Sequence, residues 1–307
     1  MSRLSDITKK ATLLEYSQGA AQAATQPIAD FLAPTVGVSA PVGFFKKYSE
    51  KSRFLVPDTR RASGGAAVRI GWSASDATYN CHPHALDVPV DHIEKDADES
   101  VIQEAAALAA EIGALSHEKI VSETALAAVG AGESISLATE KLDLIATLDE
   151  KIISIIKAAK YGSLMGVGIL FGAAAWVKFK NHKSVSGKFT VGIGTKGLIN
   201  PGVEDVGGLL LGKPEARVSM MVYDSAPEGK DEDIKFVLEN DILLFARHSN
   251  PTRRDPSFMK TFRLNGKWMV PGTYETEDGR GEVLKMDWSQ DVQATNPNCA
   301  KRLVLTA

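Results

Sequence analysis

Cys81-His82-Pro83-His84 sets three side chains that can ligate metals within four residues. A closed zinc site wants four ligands, supplied as two spaced pairs. The other histidines, His92, His117, His182 and His248, form no second pair, so no metal is expected. Gly192-Ile193-Gly194-Thr195-Lys196-Gly197 matches the dinucleotide-binding pattern. That pattern works only where a helix begins at the third glycine and points its N-terminus at the pyrophosphate. Here Leu198-Ile199-Asn200-Pro201-Gly202 follows, which cannot open such a helix. Gly207 to Lys213, GGLLLGK, keeps the spacing of a phosphate loop until Pro214 stands where a magnesium-binding Ser or Thr is needed. Its three leucines call for burial. Gly71-Trp72-Ser73-Ala74-Ser75 lacks the second glycine of a nucleophile elbow. No catalytic residue and no cofactor is therefore expected, and an α/β enzyme with a site between residues 133 and 259 is kept only as a rival reading.

Charge carries the stronger pattern. From Phe44 to Gly71 the chain has seven basic residues (Lys46, Lys47, Lys51, Arg53, Arg60, Arg61 and Arg69) against Glu50 and Asp58. From Leu86 to Glu111 it has eight acidic residues (Asp87, Asp91, Glu94, Asp96, Asp98, Glu99, Glu104 and Glu111) against Lys95. Two adjacent blocks of opposite sign are commonly two solvated faces. They also permit the basic block of one copy to lie across the acidic block of the next, with Asp91, Glu94, Asp96, Asp98 and Glu99 as the receiving residues, which would steer association and set register. The net charge of −3 argues against a protein whose task is to grip nucleic acid in bulk.

The elements that would position these blocks follow from periodicity. Asp96 to Gly130 reads as a long helix, a spine, with acidic residues at its N-terminal end and Gly130 and Gly132 as stops. Val101, Ala105, Leu108, Ile112 and Leu115 step by four and three as its apolar stripe, while Gly113 and Ser116-His117 are places where it could kink. Thirty-odd residues would reach roughly 50 Å, longer than a small domain is wide, which implies an elongated body. Residues 1 to 41, interrupted by Pro27, Pro34 and Pro41, read as an arm with one short helix near Ile7 to Tyr16, ordered by whatever it lies against. Short strands at Phe54 to Val56 and Ala67 to Trp72 flank a turn-prone centre, a long hairpin without a core of its own. After Gly132 the pattern is α/β. A capping box at Thr147 and Glu150 opens a helix ending at Gly162. Strands are expected at Leu164 to Phe171, Lys188 to Ile193, Arg217 to Tyr223 and Lys235 to Arg247, with a helix at Ala173 to Lys180. Met259 to Leu305 alternates strands with turns at Asn265-Gly266, Pro271-Gly272 and Asp278-Gly279. The longest uncharged run, Tyr161 to Val177, is shorter than the ~20 residues of a membrane span and reads as buried strand and helix. Two cysteines, Cys81 and Cys299, make no disulfide framework, and no signal peptide opens the sequence, so a reducing cytoplasm is expected.

This order of parts resembles the major capsid proteins of tailed bacteriophages, whose fold is shared with encapsulins. The residues that carry the likeness are Ala62-Ser63-Gly64-Gly65-Ala66 before Val68 to Trp72, Asp76 to Cys81, Asp87 to Glu99 leading into the spine, Met165 to His182, and Asp255-Pro256-Ser257-Phe258. The resemblance covers the chain from about Phe44 onward. It implies an α+β subunit with an N-terminal arm (1–41), an extended loop (42–78), a peripheral domain built on the spine (79–132 and 260–307) and an axial domain (133–259). It implies a structural subunit of an icosahedral head enclosing double-stranded DNA, self-assembled as pentamers and hexamers, located in the virion and assembled in the host cytoplasm. Portal, scaffold and decoration proteins are the implied partners, contact with DNA is non-specific, and no membrane is involved. An encapsulin-type compartment around a cargo enzyme is the alternative. Some family members weld neighbours by a Lys-Asn bond; Lys46, Lys47 and Lys51 lie in the right loop, but no matching Asn and Glu stand out.

Overall fold

The computed structural model describes residues 28–47, 58–61, 63, 65–69, 75–98, 100–138, 142–159, 166–190, 202–227, 229–248, 250–253, 255 and 257–306. In chain order the elements are α1 (Ile28–Leu32), β1 (Thr35–Val38), β2 (Val42–Lys47), β3 (Ser75–Asn80), β4 (His82–Asp91), α2 (His92–Ala97) and α3 (Val101–Val129). Then come β5 (Glu133–Ser136), α4 (Leu144–Ala159), β6 (Gly166–Gly172), α5 (Ala173–Asn181), α6 (Lys183–Thr190), α7 (Val203–Leu209), β7 (Glu215–Ser219), β8 (Val222–Asp224), β9 (Ile234–Phe236) and β10 (Asp241–Arg247). The chain closes with β11 (Met259–Leu264), β12 (Val270–Glu275), β13 (Gly281–Ala294) and β14 (Ala300–Thr306).

Two five-stranded sheets dominate. The first runs β1-β11-β13-β12, with β4 pairing the long β13 over ten residues. The second runs β5-β14-β10-β6-β7 and is mixed, with β5 parallel to β14 and β6 parallel to β7. It is buried on both faces, and the period of two along β10 shows how. Ile242, Leu244 and Ala246 face a core shared with α4, α5 and α6, while Leu243 and Phe245 face a core shared with α1 and the spine.

The spine is α3, 29 residues and about 43 Å long, unbroken through Gly113 and Ser116-His117. It begins at Val101 with Ser100 as its N-cap and ends at Gly130, whose φ of 78° is open to glycine. Its buried side corrects the expected stripe: Ala105, Ala106, Ala109, Ala110, Gly113, Ala114, His117, Val121 and Ala125 face inward, while Leu108 and Ile112 are 49% and 45% exposed. The physical reason is close approach. A Cβ on Gly113 would stand 2.7 Å from Met269 Cε and 3.4 Å from the Trp288 ring, so only small residues fit against the sheet. The first half of the spine packs on the first sheet through Val90, Leu284, Met286 and Trp288; Val121 and Ala125 then pack on the second.

Other expectations are adjusted. Residues 28–38 are not loose: Ile28, Ala29, Phe31 and Leu32 are buried, and β1 pairs in parallel with β11 (Thr35↔Thr261). The basic hairpin is paired at its base, β2 with β3, and not at residues 67–69, which form no strand; Phe54 to Val56 and the helix expected at Ile7 to Tyr16 lie outside the described residues. Helix α4 starts at Leu144, and its opening N–H groups at Ile145 and Ala146 are taken by Asp143, not by a box at Thr147 and Glu150. Residues 188–190 are helical rather than strand. The runs 217–223 and 235–247 each divide into two short strands. Pro271-Gly272 lies inside β12. β14 leaves the first sheet for the second, because Leu303 and Leu305 complete the core beneath α4 and α5.

Phe31 shows what holds the first described helix. It is 1% exposed, edge-on to Phe245 at 5.2 Å, with Arg217 and Arg247 over its ring at 4.6 and 4.8 Å. Phe31→Ala should cost about 3–5 kcal/mol in chemical denaturation; a loss under about 1 kcal/mol would show that this contact does not hold α1.

Candidate functional site

Among the described residues the basic block lies on β2 and on segments without regular structure, and the acidic block on β4, α2 and the start of the spine. Lys46 and Lys47 end β2, opposite Asp76 and Ser75 in register. Arg60, Arg61 and Arg69 are exposed on segments without regular structure, where the Asp58 carboxylate accepts the Arg60 N–H at 2.9 Å. Asp91 caps α2 by accepting the Ile93 N–H at 2.9 Å, and Glu94 and Asp96 are exposed on that helix. Asp98 accepts the Ser100 N–H at 2.8 Å, which holds its pKa below the usual carboxylate value. Lys51, Arg53 and Glu99 lie outside the described residues. Among the described residues no ion pair joins the two blocks.

The structure adds what charge counting misses. Helix α2 has no buried residue at all, and Ile93 on it is 79% exposed. Leu108 and Ile112, one turn apart, form an exposed apolar line on the outer side of the spine, beside the exposed Glu104 and Glu111. On the ribbon, Phe45 packs against Phe262 at 5.2 Å while its neighbours Val42 and Phe44 are 59% and 68% exposed. A helix with nothing buried and a ribbon with an exposed phenylalanine are costly in water unless a further surface covers them.

Of the motifs set aside on spacing, Cys81 to His84 and Gly207 to Lys213 fall among the described residues. Cys81 is buried, with its thiol near the Phe262 carbonyl at 3.4 Å and its pKa pushed to about 11 by burial and by Asp291. His84 stacks on Trp288 at 5.4 Å. Of the three leucines after Gly207, Leu210 is buried, but Leu209 and Leu211 are 46% and 49% exposed, contrary to expectation. Gly71 to Ala74 and Gly192 to Gly197 lie outside the described residues. A cavity of about 440 Å³ at the ends of β6, β7 and β10 lies in the 133–259 region. Among its described lining residues there is no serine, cysteine or histidine, and its Glu215 is engaged by Arg217 and Arg247, each at 2.6 Å.

Between the spine and the first sheet lies a polar seam. His84 pairs in register with Trp288, and Arg263 with Gln290; Trp288 and Gln290 are two residues apart and so share a face. His117 sits over them, edge-on to Trp268, which carries Arg263 at 3.4 Å. Both His117 nitrogens, Arg263 Nε, Trp288 Nε1 and Gln290 Nε2 are buried without a protein partner. Burial, with Arg263 and His84 close by, pulls the His117 pKa down to about 3. Next to it, burial pushes Glu118 up to about 7 although its carboxylate accepts the N–H groups of Ala29 and Ile28, and Asp30 adds to the rise.

No protein-family model and no curated protein matches the sequence. Solved structures do match. A phage-related protein from Bordetella bronchiseptica RB50 aligns at TM-score 0.68 and 16% identity over 94% of this chain and 95% of that one. The capsid of Cyanophage P-SCSP1u aligns at 0.56 and 11% over 90% and 86%. The encapsulin of Synechococcus elongatus PCC 7942 aligns at 0.52 and 12% over 88% and 83%. The chain thus has the α+β fold that phage capsid subunits and encapsulins share.

The seam gives a pH test. Below pH 6.5 the unfolded chain protonates His117 while the folded chain refuses the proton until about pH 3, so stability falls as pH falls through that range. Glu118 works the other way: the folded chain keeps its proton longer, and that stability is lost as pH rises from 4.5 through about 7. His117→Leu should therefore gain on the parent chain by about 2 kcal/mol between pH 6.5 and pH 5. A difference that stays constant with pH would rule out a neutral, buried His117.

Proposed function

We propose that this chain is the major structural subunit of an icosahedral phage head, self-assembling as pentamers and hexamers around double-stranded DNA. The observation that supports this best is the fold, which aligns across nine-tenths of the chain with phage-related and capsid structures. A subunit of a closed shell touches several neighbours, so each contact can be modest against a standard interface of about 1,600 Å². It then needs surfaces that stay open in the single copy, and α2, the outer spine and the β2–β3 ribbon supply them. The subunit acts as a container rather than an enzyme. A weakly acidic chain suits sequence-independent contact with phosphates and no tight grip on DNA. The virion is its proposed location, after assembly in the host cytoplasm, with portal, scaffold and decoration proteins as further partners.

Within the shell, the basic loop carrying Lys46, Lys47, Lys51, Arg53, Arg60, Arg61 and Arg69 lies across the acidic surface of Asp91, Glu94, Asp96, Asp98 and Glu99 in the next copy. Val42 and Phe44 in the first surface and Ile93, Leu108 and Ile112 in the second supply the apolar contact. An encapsulin-type compartment is the second reading, favoured by the alignment with the Synechococcus encapsulin. Nucleic acid inside purified particles supports the head, and a co-purifying enzyme supports the compartment.

Negative-stain microscopy of the purified chain should show closed, uniform shells; a chain that stays monomeric at every concentration and salt would overturn the reading. Arg60→Glu with Arg61→Glu should lower shell yield at least several-fold and flatten its dependence on salt. Unchanged yield and salt response would remove the charge contact while leaving the shell.

A further inference from the structure

Two patches unused so far lie on opposite faces of the second sheet. On the spine side, β8 and β9 pair with the register Val222↔Phe236, Tyr223↔Lys235 and Asp224↔Ile234. Alternation puts Tyr223 and Lys235 on one side of this ribbon and Val222, Phe236 and Ile234 on the other. The Tyr223 side is held in place: Lys119 of the spine lies 4.4 Å over the Tyr223 ring, and the preceding Met221 packs into the core beneath the spine. The other side is open, with Val222, Phe236 and Ile234 at 44%, 42% and 56% exposure and Met220 beside them at 59%. The turn that joins the strands is braced, since Asp224 Oδ1 accepts the N–H groups of Ala226 and Asp233 at 2.8 and 3.0 Å. It is also acidic: residues 224–235 carry Asp224, Glu228, Asp231, Glu232 and Asp233 against Lys230 and Lys235.

On the far face, Trp176, Phe179 and Val185 anchor α5 and α6 in the other core. Residues 177–188 carry four lysines and no acidic residue. Lys178 is turned inward to Asn240 and the Leu305 carbonyl, and Lys188 is paired with Asp143. Lys183 is exposed and Lys180 half-exposed, and Val177, 49% exposed, lies one helical turn from Lys180.

We propose that the acidic, apolar β8–β9 ribbon of one copy docks on the Val177, Lys180 and Lys183 turn of the next. This rests on the shell reading. The two patches match in kind, each an apolar centre with charge of one sign, and the signs are opposite. Ribbon against ribbon would instead set five acidic residues against five. Because the patches sit on opposite faces of one sheet, a single molecule cannot bring them together, and the contact between copies is head-to-tail. Such a contact passes from copy to copy and closes into a ring when the rotation permits.

The experiment uses two charge-reversed chains, D231K/E232K and K180E/K183E, each confirmed folded by an unchanged melting curve, with sedimentation as the assembly readout. Each alone should lose at least tenfold in assembled material. Mixed in equal amounts they should regain assembled material as alternating, even-membered rings such as hexamers, in which every ribbon meets a turn of opposite sign; the chain carrying all four changes should assemble as well and can also fill five-membered rings. Recovery on mixing also excludes misfolding as the cause of the loss. If the parent chain assembles and either variant assembles equally well, this contact is wrong and the shell reading stands. Loss in both variants without recovery in the mixture or the four-fold chain overturns the pairing. A parent chain that never assembles overturns both readings.

Discussion

The closeness of the spine to two sheets is the constraint on which the rest depends. One 29-residue helix lies across the first sheet with its N-terminal half and beneath the second with its C-terminal half. Over the first sheet its inward side is alanine and glycine from Ala105 to Ala114, which brings the helix backbone near the strands. Larger residues such as Leu108 and Ile112 have no room on that side and go outward, so the requirement for close packing inside creates an apolar line outside.

The polar seam under the spine runs against ordinary core chemistry. Replacing His117, Trp288 and Gln290 by apolar residues would remove four orphaned polar atoms, and each orphan costs free energy in a protein interior. Between about pH 4.5 and 6.5 the effects of His117 and Glu118 on stability run in opposite directions.

Legibility in the sequence followed the range of the physics involved. The spine, the buried strand at Gly166–Gly172 and the helix after it were readable because each rests on a local period and a local stop. The stripe of the spine was misread because size, not hydrophobicity, decides which residues face a surface at short range. Residues 28–38 looked like part of a loose arm because their burial comes from strands more than two hundred positions away, as with Thr35 and Thr261. The charge blocks were visible at once, yet the exposed apolar residues that accompany them, Phe44, Ile93 and Leu108, look in sequence like any others bound for a core. The β8–β9 ribbon was hidden inside two runs that read as longer strands.

By itself the sequence determined the spine, the strand at Gly166–Gly172 and the helix after it, the opposite signs of two neighbouring blocks and the absence of any recognisable catalytic spacing, because these depend on neighbours within a few turns of chain. The tertiary structure alone decided which apolar residues are left in water, which sheet receives β14, and that complementary patches lie on opposite faces. Those follow from packing between distant segments, where volume and backbone distance outweigh local preference.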